Sequence, residues 1–295
     1  MKLIESKVEI IEQQPGLDGV YKQIEWAGRH CYKSHDKITE DSAKEFVDRM
    51  ITSKHGAMLE HGTVYLSVPK EETEIVGFHG WCQYSKVHSD LVMEEPCNWL
   101  ITTNMRVLVE HDRLRDLKYI CEPTKRHAKR ITTRFTCDMG VGRELTRHRT
   151  LSFAQESTRY CNYGKSKFGE ELTFIIPTWA NIPEGRYTNW DGDWCDVEKL
   201  TILKKDENDA TDQFLHLCDY AEKSYMLMLD RGSKPQEARQ VLPLGLKTEI
   251  VVTGFESDWE HFFSLRSPKA GAQGAHPDIA KLADELYEKL NSVNK

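Results

Sequence analysis

The amino-acid sequence predicts an α+β protein, a single domain with a mixed or antiparallel sheet flanked by helices. Three observations carry that expectation. The stretches "TVYLSV" (63–68), "ITTRFTC" (131–137) and "TEIVVT" (248–253) have strand length, alternate or run apolar, and are rich in β-branched residues. Several longer stretches repeat apolar residues at three- and four-residue intervals, the period of an amphipathic helix. No internal repeat or low-complexity linker divides the chain, so residues 1–295 are expected to form one domain. Hydrophobic residues make up 39% of it, and a fold of this length buries roughly three quarters of its unfolded surface.

In chain order, residues 41–54 ("DSAKEFVDRMITSK") set Ala43, Phe46, Val47, Met50 and Ile51 at helical spacing behind an Asp-Ser start that suits a helix N-terminus. The strand at 63–68 follows, then the strand at 131–137, and a helix is expected to open near Gly140 and run toward Arg149. The aromatic, acidic, Gly-containing stretch at 185–197 ("GRYTNWDGDWCDV") reads as a surface excursion. The longest helix is expected at 209–231, with Phe214, Leu217, Ala221, Tyr225 and Met228 on one stripe and Gly232 just past its end. A short helix starts at Pro235 and a strand covers 248–253. Asp258 can cap the helix that delivers "HFFSLR" (261–266), and "HPDIAKLADELYEKL" (276–290) closes the chain as another amphipathic helix.

Lys and Arg number 40 against 47 Asp and Glu, a net charge of −7, which disfavours following a phosphodiester backbone and so a nucleic-acid partner. A basic cluster in this setting serves a small anion. No stretch approaches the roughly eighteen apolar residues of a membrane span, so a cytoplasmic enzyme is expected. The eight cysteines include no C-x-x-C and read as reduced thiols. Near-motifs fail on single residues. "GVGREL" (140–145) puts Leu145 where a dinucleotide loop needs its third glycine. "DGDWCDVE" (191–198) puts Cys195 and Asp196 where a calcium loop needs a ligand oxygen and a glycine, and reads as a solvated loop. The twelve histidines include no H-E-x-x-H, so no metal is expected.

"RHRTLSFAQESTRY" (147–160) survives this filter. Arginine and histidine in the last turn of a helix complement its dipole by roughly 0.3–1 kcal/mol each, which would make them a solvated face. Against that, Arg143 and Arg147 at i, i+4 repel by about 0.2–0.5 kcal/mol, and Ser152, Ser157 and Arg159 add hydroxyl and guanidinium donors. Fork-shaped and hydroxyl donors together suit a phosphate.

Arg-His-Arg, seven residues, then Ser, with Arg-Tyr two residues on, resembles the signature of flavin-dependent thymidylate synthases. "HGAMLEH" (55–61) upstream, and "EARQVLPLGL" (237–246) and "HFFSLR" (261–266) downstream, resemble further blocks of that family in the right order, and "AGRHCYKS" (27–34) resembles its early Arg-x-Cys-Tyr stretch. The resemblance implies reductive methylation of dUMP to dTMP, with methylenetetrahydrofolate as carbon donor and NADPH-reduced FAD as hydride and methylene carrier. It also implies a homotetramer with flavin sites at subunit interfaces, which would spread the arginines needed by several anionic ligands.

Carried over by position, the resemblance assigns Arg147, His148 and Arg149 to FAD, with Arg147 also near dUMP. Gln155, Glu156, Ser157, Thr158 and Arg159 match the loop that grips dUMP and its phosphate, Gln155 also facing FAD. Arg239 matches a second phosphate arginine, supplied by a neighbouring subunit. Arg266 matches the arginine that faces and activates the uracil ring, His55 the histidine beside the flavin, and His261 a flavin-contacting position. Departures fall at Ala57, where Ser or Thr often helps the flavin, at Glu144, where many members have Gln near dUMP, and at Phe255–Ser257. Residues 69–130, longer than the hairpin of compact members, are expected to form an added lobe.

Two other readings stand beside this one: a non-catalytic nucleotide-binding module and an RNA-binding basic patch, the latter disfavoured by the net charge. "EEPCNW" (94–99) also offers a Pro-Cys pair like that of flavin-free thymidylate synthases. Glu94 and Glu95 disfavour a thiolate at Cys97, so Cys97 is expected to be dispensable.

Overall fold

The computed structural model describes residues 1–89, 98–203 and 209–293; Cys97 lies outside the described residues. The chain opens with strands β1 (Lys2–Ile4) and β2 (Lys7–Ile11) and helices α1 (Gly16–Tyr32), α2 (Ser42–Thr52) and the single turn α3 (Gly56–Leu59). Then come β3 (Thr63–Val68), α4 (Thr73–Trp81), β4 (Lys86–Ser89), β5 (Trp99–Asn104) and α5 (Met105–Glu110). β6 (Arg130–Asp138), α6 (Met139–Leu145), β7 (Ser152–Gln155), β8 (Thr173–Ile175), β9 (Gly185–Trp190), β10 (Asp193–Asp196) and β11 (Thr201–Ile202) follow. α7 (Asp209–Asp230), α8 (Pro235–Ala238), β12 (Lys247–Phe255), α9 (Glu256–Arg266) and α10 (Pro277–Val293) complete the described chain.

Where the sequence suggested one sheet, the strands form three, ordered β11-β10-β9-β1-β8, β2-β6-β12-β7 and β3-β5-β4. The second is the frame of the molecule. β6 and β12 pair antiparallel over nine residues, from Lys247↔Asp138 to Phe255↔Arg130. One face of β12 puts Ile250 and Val252 into a core with Phe135, Trp259, Phe262 and Leu286, under α9 and α10. The other face puts Val251 against Ala27 and Ala154 under α1. Covered on both faces, the strand is an apolar run rather than a clean alternation, and each large side chain fully buried there contributes about 1.5–3 kcal/mol.

The stretch at 185–197 is a hairpin rather than a loop. Asp191 and Gly192 both take positive φ (51° and 92°), the geometry of a tight two-residue turn whose twist matches the flanking strands. Trp194 is buried and Trp190 exposed. The Asp-Gly read as a failed calcium loop is therefore a turn signal. On α7 the expected Ala221 and Tyr225 are buried and Phe214 and Met228 pack against the same core, joined by Leu215 and Cys218, whereas the expected Leu217 is 54% exposed. Asp258 acts from the third helical position of α9, where its carboxylate accepts the Phe255 backbone N–H at 3.0 Å.

The β3-β5-β4 sheet has no core of its own. Val64, Leu66, Ile101 and Leu108 share one cluster with Val20 and Ile24 of α1 and Phe46 and Val47 of α2. Among the described residues no helix is long and apolar enough to cross a membrane.

Gly254, near the end of β12, admits Leu151: a Cβ there would stand 2.2 Å from Leu151 Cδ2. Because Leu151 directly follows "RHRT", the substitution Gly254→Ala is expected to shift that segment and cost about 1–3 kcal/mol, measured by urea unfolding. A wild-type midpoint would show that the Leu151 packing is not tight.

Candidate functional site

The expected helix to Arg149 stops at Leu145, and the chain turns. Thr146 N–H still reaches back four residues to Gly142, but Arg147, His148 and Leu151 each donate to the carbonyl only three residues before. This tightening rotates His148 inward, where it is buried with Leu145, and leaves Arg143, Arg147 and Arg149 exposed. The Arg143–Arg147 pair is thus not a helical i, i+4 pair, since Arg147 lies past the helix end.

His148 meets the last two turns of α9. Its ring packs edge-on against Phe262, centroids 5.0 Å apart, and its Nε2 accepts the Arg266 Nε–H at 3.3 Å. Arginine has no acceptor, so Nε2 carries the lone pair and the ring is neutral. Burial, then the charges of Arg266 and His261, pulls the imidazole down to about 4. Arg266 Nη1 donates to Glu144 Oε2 at 2.5 Å. Two neighbours on the α6 side therefore fix the guanidinium plane, and Nη2 has no protein partner among the described residues. The structure brings Glu144, His148 and Arg266 into direct contact, with exposed His261 close by.

Other expected residues lie in two further groups. Gln155 reaches under α6, where its Nε2 donates to Thr248 Oγ1 at 3.3 Å. Gly142 makes this possible: a Cβ there would sit 3.1 Å from Gln155 Nε2. Ser157 donates its backbone N–H to Cys31 O at the end of α1, half-buried Thr158 follows, and Arg159 is exposed over the Tyr160 ring. Glu156 points the opposite way. It is 3% exposed and is bound by Lys33 (3.0 Å), Lys247 (3.0 Å) and the Tyr163 hydroxyl (2.8 Å). Burial pulls the Lys247 ammonium down, but the Glu156 and Glu249 carboxylates more than offset this and hold it above its usual range. Sequence reasoning missed Lys33 and Lys247. The signal was the two-residue spacing of Lys247 and Glu249, which puts both on one face of β12. His55 and Arg239 are exposed, and among the described residues neither bonds to the Arg266 cluster.

Arg149 lines a cleft of about 760 Å³ together with Leu151, Phe153, Phe255, Ala57, Lys86, Arg106 and Arg130. Among the described residues, Arg143, Arg147, Arg149, Arg159 and Arg239 have no carboxylate within 4 Å. The site thus offers a run of uncommitted guanidinium forks flanking one neutral histidine and one fixed arginine, a donor set suited to phosphates and to a planar anionic ring.

The neutral His148 has a consequence for acid stability. Unfolded, it takes up a proton near pH 6.5, whereas folded it does so near 4. Its contribution is therefore fully present above about 6.5 and is lost as pH falls toward 4. Unfolding free energy is expected to drop across that window, and His148→Gln to flatten the drop by up to about 1 kcal/mol per pH unit. Urea titrations at several pH values check this, and identical slopes in the two proteins would show that His148 titrates normally.

The family profile described as thymidylate synthase complementing protein matches residues 124–294. Among curated relatives, the flavin-dependent thymidylate synthase of Pyrococcus furiosus is 27% identical over 182 residues, 62% of this chain and 62% of that protein. That of Mycobacterium marinum is 30% identical over 154 residues, 51% of this chain and 52% of that protein. That of Haloarcula marismortui is 26% identical over 148 residues, 49% of this chain and 56% of the relative. The chain thus matches roughly half to three fifths of these relatives' length. Among solved structures, a UMP/dUMP methylase from Streptomyces cacaoi bound with 5-Br dUMP is 18% identical, with a TM-score of 0.45 over 99% of this chain and 93% of that one; likeness of that degree carries neither fold nor function across. The profile match spans more than half of the residues and contains both the "RHRTLSFAQESTRY" stretch and Arg266, and on it the chain belongs to the family of thymidylate synthase complementing proteins.

Proposed function

We propose that the chain is an FAD-dependent thymidylate synthase, a methyltransferase that converts dUMP to dTMP with methylenetetrahydrofolate as carbon donor and NADPH as reductant. The observation that carries this reading is Arg266 held in place by Glu144 and His148 beside a cluster of unpaired arginines.

C5 of neutral uracil is a weak nucleophile, and polarising the ring toward its anion makes it a better one. A guanidinium stays protonated and presents donors in a fixed plane. Here His148 takes Nε–H and Glu144 takes one Nη1–H, so the plane is set before a ligand arrives and the Nη2 donors remain for developing negative charge. The neutral histidine orients Arg266 without competing for the anion. Glu144 by itself repels a phosphate, and Arg143 and Arg147 on the same turn offset it. Gln155 and the Ser157–Arg159 turn are assigned to dUMP.

The donors present fit an anionic dinucleotide: Arg147 and Arg149 are exposed and unpaired, and Arg149 borders a cleft of nucleotide size. Arg147, His148, Arg149, Gln155 and His261 would hold FAD, which when bound supplies hydride and one-carbon transfer chemistry. His55 and Arg239 do not bond to the Arg266 cluster within one chain, which supports a homotetramer whose sites are completed by neighbouring copies.

The purified protein is expected to show a flavin absorption spectrum and to form dTMP from dUMP. A colourless protein that binds dUMP and not FAD would assign the chain instead to non-catalytic nucleotide binding. Arg266→Ala is expected to keep FAD and lower turnover by roughly 100-fold or more, and Arg266→Lys should not restore it, because an ammonium cannot hold both Glu144 and His148 and still face a ring. Near-normal turnover in either variant would remove Arg266 from the chemistry.

A further inference from the structure

We propose that the cleft beside Arg149 takes the phosphate-bearing part of a dinucleotide, gripped by Lys86 of β4 and Arg130 of β6 on either flank of Phe255; this rests on the dinucleotide-dependent reaction proposed above. Neither Lys86 nor Arg130 was expected at a site from the sequence.

Charge balance is the first argument. Lys86, Arg130 and Arg149 all line the cleft, and among the described residues none has a carboxylate within 4 Å. The acidic side chains of the lining are already engaged. Glu60 and Glu110 both bind Arg106, and Asp258 accepts the Phe255 N–H. Lys86, Arg106, Arg130 and Arg149 thus face Glu60, Glu110 and Asp258, and among the described residues the lining carries a net positive charge.

Fixation is the second. The Arg130 guanidinium donates to the Glu60 backbone carbonyl at 3.1 Å and to Thr63 Oγ1 at 3.2 Å, neutral acceptors that orient it without cancelling its charge. Burial draws it down only to about 10, so it is still a cation at neutral pH. Glu60 and Asp258 act on it from beyond 4 Å without closing an ion pair, and a desolvated, oriented cation so weakly compensated is costly until an anion arrives.

Shape is the third. The ring of Phe255 lies 5.5 Å from Lys86 Nζ and 5.5 Å from the Arg130 guanidinium carbon, which fixes the spacing of the two cations. Ala57 and Gly254 line the cleft without side-chain donors, so polar recognition falls to the cations. Lys86 lies outside residues 124–294 matched by the family profile, whereas Arg130 lies inside them.

Flavin and nicotinamide dinucleotides share this chemistry, and calorimetric titration of the full-length chain distinguishes them, with ADP as a probe of the phosphate grip and dUMP as the control. Lys86 is exposed, so Lys86→Ala and Lys86→Glu should melt with the wild type. Lys86→Ala is expected to weaken ADP and one dinucleotide by about tenfold, the scale of one charged hydrogen bond, and Lys86→Glu to weaken them further, with dUMP unchanged. Whichever of FAD and NADPH is weakened is the occupant. Wild-type affinity of Lys86→Glu for FAD, NADPH and ADP, or an equal loss for dUMP, would overturn the proposal while leaving the proposed reaction intact. A wild-type protein that binds ADP, weakened by Lys86→Glu, but neither dinucleotide would keep the cleft and sink the reaction. Binding of none of the three would remove both.

Discussion

The pairing of β6 with β12 places everything else. The two strands run antiparallel over nine residues, about 27 Å, and each is followed at once by a helix that folds back over the same face. α6 starts at the end where Asp138 pairs with Lys247, and α9 starts at the opposite end, where Phe255 pairs with Arg130. α6, with 7 residues, advances about 10 Å, and α9, with 11 residues, about 16 Å. Together they span the strands, so the two C-terminal ends meet. Arg266 touches Glu144 and His148 because of these lengths. A register slip of two residues would open a gap of about 7 Å, more than the contact could bridge without moving a helix.

Two helix C-termini facing each other bring together the negative ends of two dipoles, which favours cations there. The sequence supplies Arg143, Arg147, Arg149 and Arg266 at that point. The same arrangement explains why His148 is neutral. It is buried against Phe262, and with Arg266 already donating to it, a second positive charge would be repelled. Glu144 is the acidic counterweight, tied to Arg266 on one side and near exposed arginines on the other. The cluster is therefore cationic without being a bare repulsive patch, and its geometry is set by bonds among its own members.

Much of this was legible in the sequence because it was written in local patterns. β3, β6, β12, α2, α7, α8 and α10 follow from period and end signals, and the family from four ordered blocks. What was missed depends on partners distant in the chain. The end of α6 could not be read from "GVGRELTRHR", since the early turn serves the burial of His148 against α9, more than a hundred residues later. Asp191-Gly192 resembles the start of a calcium loop, yet both residues take positive φ and form the hairpin turn. Leu217 looked like core by spacing, yet the packing of α7 on β1, β8 and β10 buries its neighbours Leu215 and Cys218 and leaves it exposed. Lys33 and Lys247 neutralise Glu156 from two different elements, and no window of sequence contains all three. Lys86 and Arg130 come together only because β4 and β6 both reach the Phe255 end of β12.

The net charge of −7 and a local cluster of exposed arginines are consistent once the pairing of charges is followed. A charge in solvent at physiological salt is felt over about 8 Å, so a ligand responds to the few groups around it and not to the sum over the chain. The acidic excess is held elsewhere. Glu9 faces Arg134, Glu25 faces Arg29, Glu74 faces Arg113 and Arg115, and Glu171 and Glu198 face Arg186. Glu156 is sequestered by two lysines beneath the Ser157–Arg159 turn. Among the described residues, Arg143, Arg147 and Arg149 around the α6–α9 junction have no carboxylate partner, whereas Arg266 is tied to Glu144. Local pairing, rather than composition, therefore sets the charge that this surface presents.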